Sequence, residues 1–220
     1  MKTPIHAILV SVDYTDILRL TLPYNRHHFA SVHIVTTMAD ADNVYNVAKD
    51  WDARVWTTNL FYANRASFNK WAALEWGIER AGLREGAGRP KWLCIMDADI
   101  LWPKDASLER ILRPGFLYTP RRRIAVPSPC VVPPESDWIQ YPIHPNEAEF
   151  AGYSQVFRND DPALPPSGPW HETDWKHAGG ADSFFQARWR PEFKIRPGWM
   201  VLHLGPTAMN WHGRTTPYLD

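Results

Sequence analysis

Residues 91–103 read KWLCIMDADILWP. Trp92, Leu93, Cys94, Ile95 and Met96 form a continuous apolar run with the length of a strand buried on both faces. Two carboxylates follow, Asp97 and Asp99, separated by the small Ala98. Alternation along a continuing strand sends both acids to one face, and a break in the strand is the other option. Carboxylates held close together repel unless a cation sits between them. Hard oxygen ligands of this kind suit Mg²⁺ or Mn²⁺, ions commonly shared with substrate phosphates. Asp is also frequent where strands end in turns, so the triplet alone is weak. The expectation is a metal–diphosphate site at the carboxyl end of a buried strand.

The 220 residues are 45% hydrophobic, enough for one domain with a substantial core. The formal net charge is zero, so bulk electrostatics call for neither nucleic acid nor an anionic membrane. Two cysteines, Cys94 and Cys130, make no disulfide framework and fit a reducing cytosol. No apolar run approaches the roughly 18 residues of a membrane span, so a soluble, cytoplasmic protein is expected. The 12 Trp residues are a heavy load whose faces pack cores and also stack on sugars and bases.

Strand patterns at residues 6–12, 32–36 and 54–57 alternate with helical patterns after Asp16 and over residues 40–49. That alternation predicts an α/β chain with a parallel sheet. The strongest helix is expected over residues 64–81, with Phe68, Trp71, Leu74 and Ile78 as its apolar stripe and Asn64 or Ser67 as its cap. Arg65, Asn69 and Lys70 lie in or before its first turns, where a cation opposes the helix dipole unless an anion is bound. Residues 83–90 read as a loop.

Beyond Pro103 the chain turns proline-rich, with a basic run at Arg121, Arg122 and Arg123 that reads as a solvated loop or as a contact to a phosphate backbone or an acidic acceptor. Residues 159–168 read as a loop able to act as a lid. Gly179 and Gly180 allow close backbone approach, and Asp182 begins a helix, where an acid is an ordinary cap. A strand is expected over residues 199–202, with His203 after it as a core histidine or a metal ligand.

Taken together these segments resemble the GT-A glycosyltransferases, a family with a Rossmann-like nucleotide-binding fold. The segment Val12-Asp13-Tyr14 is similar to the one that holds the donor nucleoside. Asn69-Lys70, with Ala72-Ala73 and Gly77-Ile78 after it, is similar to the helix before the DxD strand, which contacts the donor. Asp97-Ala98-Asp99 is similar to the DxD itself. Gly179-Gly180-Ala181-Asp182 is similar to the GGED stretch of inverting members, whose last Asp is the catalytic base. Ala181 stands where Glu is usual, which removes an acceptor contact. His203 stands where many members place a third metal ligand, and His203-Leu204-Gly205-Pro206 also resembles the end motif of a retaining branch.

The resemblance implies one GT-A domain over residues 1–220, with a mostly parallel sheet flanked by helices and a loop-rich second half. Residues 1–103 would bind the nucleotide sugar and residues 104–220 the acceptor. It implies Mn²⁺ or Mg²⁺ on Asp97, Asp99 and His203, a UDP-sugar donor near Arg65, Lys70, Asp97 and Ala98, and Asp182 as base. The acceptor would be a hydroxymethylated pyrimidine in DNA, as in bacteriophage enzymes acting in a host cytosol, or a saccharide. A non-catalytic nucleotide- or sugar-binding module is the alternative. A phosphatase of the haloacid dehalogenase type fits less well, because its DxD follows the first strand and here three predicted strands come before.

Overall fold

The computed structural model describes residues 3–84, 90–145, 150–207 and 209–219. The chain begins with β1 (Ile5–Val10), α1 (Thr15–Asn25), β2 (Ser31–Thr36), α2 (Ala41–Ala48), β3 (Ala53–Thr57), α3 (Lys70–Arg80) and β4 (Trp92–Asp97). It continues through β5 (Ile100–Leu101), β6 (Leu117–Tyr118), β7 (Arg121–Ala125), β8 (Ser154–Arg158), α4 (Ala181–Gln186), β9 (Lys194–Ile195) and β10 (Met200–Leu204). The main sheet has seven strands in the order β3-β2-β1-β4-β8-β6-β9, and a second sheet has the order β5-β10-β7. Strands β3, β2, β1 and β4 run parallel, whereas β8 is antiparallel to β4 and to β6. This is a Rossmann-like α/β fold, as the alternation of strands and helices predicts.

Alternate residues of the central strands feed two core layers. Ala7 and Leu9 of β1 and Cys94 and Met96 of β4 meet Leu18, Leu22, Val44 and Val47 of α1 and α2. Ile8, Leu93 and Ile95 point the other way, onto Trp71, Leu74 and Ile78 of α3. Gly77 lets α3 lie close to the sheet. A Cβ there would come 2.4 Å from Val35 Cγ2 and 3.2 Å from Ile8 Cδ1, an overlap of the kind that costs about 1–3 kcal/mol. Strand order reverses between β1 and β4, because β2 and β3 build away from one edge of β1 and β4 joins the other. Open α/β sheets form their ligand crevice at such a reversal, outside the carboxyl ends of the strands.

Several expected boundaries move. The helix expected from residue 64 begins at Lys70, because Asn64 and Arg65 take left-handed φ values of 55° and 60° and break it. Its cap is Asn69, whose Oδ1 accepts from the Ala72 amide at 3.0 Å, rather than Asn64 or Ser67. Arg121, Arg122 and Arg123 lie in β7, paired in parallel with β10, and so form no loop. His203 lies inside β10. Residues 85–89 of the loop expected over 83–90 lie outside the described residues. The lid expected over residues 159–168 is corrected. Asn159 Oδ1 accepts from the Lys91 amide at 2.9 Å, and Asp161 and Leu164 are buried. Lys91 precedes β4, so this loop begins at the far end of the sheet from Asp97 and does not border the crevice. Among the described residues no helix is long and apolar enough to cross a membrane.

One partly buried chain of polar groups, centred on the buried His33, ties β1, β2 and β3. Trp56 Nε1 donates to His33 Nδ1 at 3.2 Å, so the neutral His33 ring carries its proton on Nε2. That Nε2 donates to Ser31 Oγ at 2.9 Å, and the Ser31 hydroxyl donates to His6 Nδ1 at 2.8 Å. Burial, with the charges of Arg54, His6 and Lys91 adding to it, pushes the His33 ring down to about 4 from 6.5. The unfolded chain therefore takes up this proton at a higher pH than the folded one. Its stabilising contribution is complete above pH 6.5 and is lost as pH falls towards 4. His6 shifts in the same direction. Thermal melting between pH 7 and 4 should show His33→Gln with a shallower loss of stability than wild type. Equal slopes would remove His33 from the acid response.

Candidate functional site

The crevice between β1 and β4 opens into a cavity of about 420 Å³. Val10 and Asp97, register partners at the ends of these two strands, lie at its base. The cavity brings together Val12 and Tyr14 after β1, Lys70 at the start of α3, and Asp97, Ala98 and Asp99 after β4. Asp182 and His203 complete its set of expected residues. Asp13, Arg65 and Asn69 do not line it. Asp13 takes φ 56° and is exposed, with its amide bonded to Asp40 Oδ2 at 2.9 Å. Arg65 is exposed, and the Asn69 amide group donates to the Thr173 carbonyl at 2.6 Å besides capping α3.

Helix α1 and the second sheet fix the turn that carries the two acids. Thr21 Oγ1 donates to the Ala98 carbonyl at 2.6 Å, and Asn25 Nδ2 donates to the Ile100 carbonyl at 2.6 Å. The Leu204 amide donates to the Asp99 carbonyl at 2.8 Å, continuing the pairing of β5 with β10. Leu202 and Leu204 face the third apolar cluster, so His203, between them, faces the cavity.

Asp97 is ion-paired with Lys70. Asp99 is buried, and its Oδ1 has no hydrogen-bond partner among the described residues. That oxygen lies 3.7 Å from His203 Nε2. His203 Nδ1 lies 3.1 Å from the Gly205 carbonyl, to which it can only donate, so a neutral ring turns the Nε2 lone pair towards Asp99. The carboxylate oxygen and the ring nitrogen thus face each other with no hydrogen bond between them. Burial pushes the Asp99 carboxyl up, His203 opposes this, and Asp97 adds to it. Among the described residues no group of three or more His, Cys, Asp or Glu side chains converges as a ready metal cage. The Asp99–His203 pair instead fits an ion that takes one or two protein ligands and completes its shell with phosphate oxygens and water.

Asp182 lies in the first turn of α4. Its Oδ2 accepts from the Gly152 amide at 2.7 Å and its Oδ1 from the Ser183 amide at 3.0 Å. Gly152 has no room for a side chain, since a Cβ would come 2.8 Å from both Asp182 Cβ and Trp71 Cη2. Helix α4 is in turn braced from inside. His171 stacks between Trp71 at 4.7 Å and Phe185 at 4.1 Å, and its Nδ1 bonds Glu75 Oε1 at 2.6 Å. Arg84 pairs with the same Glu75.

The cavity also contains Arg122 of the basic run and residues that local sequence did not reveal, among them Tyr153, Trp211 and Arg214. The Trp211 ring lies flat against Gly179, where a Cβ would come 2.8 Å from Trp211 Cδ2. Tyr14 accepts a hydrogen bond from Asn210 and lies 4.9 Å beneath the Arg214 guanidinium. Burial, then Asp99 and Asp97, push the Tyr14 hydroxyl far up, so it stays protonated.

The segment after β10 is latched to the start of α1. Arg214 Nη2 donates to Asp16 Oδ2 at 2.8 Å, and the Leu219 amide donates to the same oxygen at 2.8 Å. Burial alone would raise the Asp16 carboxyl, but the bonds from Arg214, Leu219 and Ile17 outweigh it and hold it below its ordinary value. The latch is complete at neutral pH and weakens only as pH falls below the usual carboxylate range. Asp16→Asn leaves Arg214 without its charge partner, a loss of about 1–3 kcal/mol. Amide exchange over residues 209–219 should then speed up by roughly tenfold or more. Unchanged exchange would show that other contacts hold the segment.

No family model and no curated protein matches the chain. Among solved structures it is similar to a 4-diphosphocytidyl-2C-methyl-D-erythritol synthase from Anaerococcus prevotii. The two share 14% identity over 71% of this chain and 72% of that one, with a TM-score of 0.36. A likeness this distant carries no functional argument.

Proposed function

We propose that the chain is a metal-dependent glycosyltransferase that moves a sugar from a nucleoside-diphosphate sugar, expected to be a UDP-sugar, to an acceptor hydroxyl. The observation that carries this reading is the partnerless Asp99 oxygen facing His203 Nε2 at the carboxyl-end crevice, with Asp182 on the same cavity. Residues 1–103 form the donor half and residues 104–220 the acceptor half. The acceptor is a hydroxymethylated pyrimidine in DNA or a saccharide.

Asp99 and His203 would hold Mn²⁺ or Mg²⁺, which when bound supplies positive charge to the leaving diphosphate. Val12 and Tyr14, at the end of β1, border the donor nucleoside. Lys70, which holds Asp97 in place by their ion pair, offers its ammonium to a phosphate oxygen. Asp182, fixed by the Gly152 and Ser183 amides, accepts the proton of the acceptor hydroxyl as that oxygen attacks the anomeric carbon. Attack from the face opposite the leaving group gives inversion. A phosphatase of the haloacid dehalogenase type carries its DxD after the first strand, whereas here it follows β4, which favours the transferase.

Thermal melting with UDP, GDP, CDP and ADP, each with Mn²⁺ and with chelator, tests the reading. One nucleotide should raise the melting temperature only with metal, by the equivalent of about 2.7 kcal/mol at a hundredfold excess over Kd. Asp99→Ala and His203→Ala should abolish that shift. Asp182→Asn should keep it and lose transfer by about 10²–10⁴-fold. No shift with any nucleotide would refute the donor site. A shift without transfer to any acceptor would make the chain a binding module.

A further inference from the structure

The charged groups of the cavity are almost all matched. Lys70 is paired with Asp97, and Arg214 with Asp16. Asp182 is held by two backbone amides, and the Asp99–His203 pair is the proposed metal position. Arg122 differs. It lines the same cavity and makes no ion pair among the described residues.

Its position is built. Arg122 pairs with Val201 and Ile124 with His203 in the parallel ladder of β7 and β10, so Arg122 and His203 leave the second sheet on one face. The guanidinium lies 4.2 Å over the Tyr153 ring. Stacking of this kind orients the flat group and leaves its N–H edge for a ligand. Tyr153 OH donates to the Pro120 carbonyl at 2.5 Å, which anchors the ring beneath it. The residue before it, Gly152, is the one whose amide holds Asp182. The two neighbouring residues therefore carry the proposed base on one side and a fixed guanidinium on the other.

From this juxtaposition we infer that Arg122 forms an oxyanion subsite of the acceptor: the molecule whose hydroxyl meets Asp182 carries a phosphate ester or a carboxylate beside that hydroxyl. The inference rests on the transferase reading and narrows its acceptor class. A planar guanidinium presents paired N–H donors that match a carboxylate or phosphate and gain little from a neutral hydroxyl. The same oxyanion chemistry could also come from the donor diphosphate, so the test must separate the two sources.

Calorimetric titration in Mn²⁺ supplies that test. The acceptor probes are glucose, glucose 6-phosphate, glucuronate and a single-stranded oligonucleotide containing hydroxymethylcytosine. The donor probe is whichever of the four nucleoside diphosphates binds. At least one anionic probe should bind roughly tenfold or more tighter than glucose. Arg122→Met should erase that advantage, Arg122→Lys should restore part of it, and nucleotide affinity should change less than about twofold. The melting temperature without ligand reports whether each variant is folded. Equal binding of glucose and every anionic probe would overturn the inference. So would a loss confined to the nucleotide, which would make Arg122 a donor contact. Absence of nucleotide binding in the wild type, with anionic preference retained, would instead strike the transferase reading alone.

Discussion

The hydrogen bond from the Leu204 amide to the Asp99 carbonyl is the contact on which the site depends. It joins the second sheet to the turn after β4, and so sets His203 opposite a carboxylate that is far away in sequence. Without it, Asp97 would keep Lys70 but Asp99 would have nothing facing it. The turn itself is held from beneath by Thr21 and Asn25 of α1, so α1 and β10 converge on residues 97–101. A buried carboxylate oxygen without a hydrogen bond is unfavourable unless a cation or a proton meets it. The fold maintains this arrangement through backbone pairing, which a change of side chain does not readily release.

The other acids and bases of the cavity follow a different rule. Each is tied to a neighbour that fixes its place: Asp97 to Lys70, Asp182 to two amides, Arg214 to Asp16. The second of these ties needs a glycine at residue 152 and the brace of Glu75, His171 and Phe185 behind α4. A cavity so arranged has few groups that must reorganise when charged ligands enter, which is the condition for strong electrostatic stabilisation. Arg122, stacked on Tyr153 and in no ion pair among the described residues, is the exception, and the proposed anionic acceptor rests on it.

Much of the fold was legible because its signals are local. The apolar runs of β1, β2 and β4 and the stripe of α3 can be read within a dozen residues, and the DAD triplet marks its own strand end. Long-range pairing hid the rest. Three successive arginines look like solvated chain until β10, about eighty residues later, pairs with them and sets which face Arg122 occupies. Asn64 and Arg65 carry no mark of the left-handed turn that delays α3 to Lys70. Residues 159–168 have the composition of a mobile loop, yet Asn159 and Asp161 are buried at the opposite end of the sheet. Trp211 and Arg214 reach the cavity only because the segment after β10 folds back onto α1, and no local pattern encodes that return.

The central claim is that Asp99 and His203 together hold a divalent ion at this crevice. Pulsed EPR of Mn²⁺ bound with its nucleoside diphosphate, using protein labelled with ¹⁵N only at histidine, addresses it directly. The account predicts coupling from one histidine nitrogen that vanishes in His203→Ala, together with ³¹P coupling from the diphosphate. Mn²⁺ that binds with phosphorus coupling and no histidine coupling would contradict it.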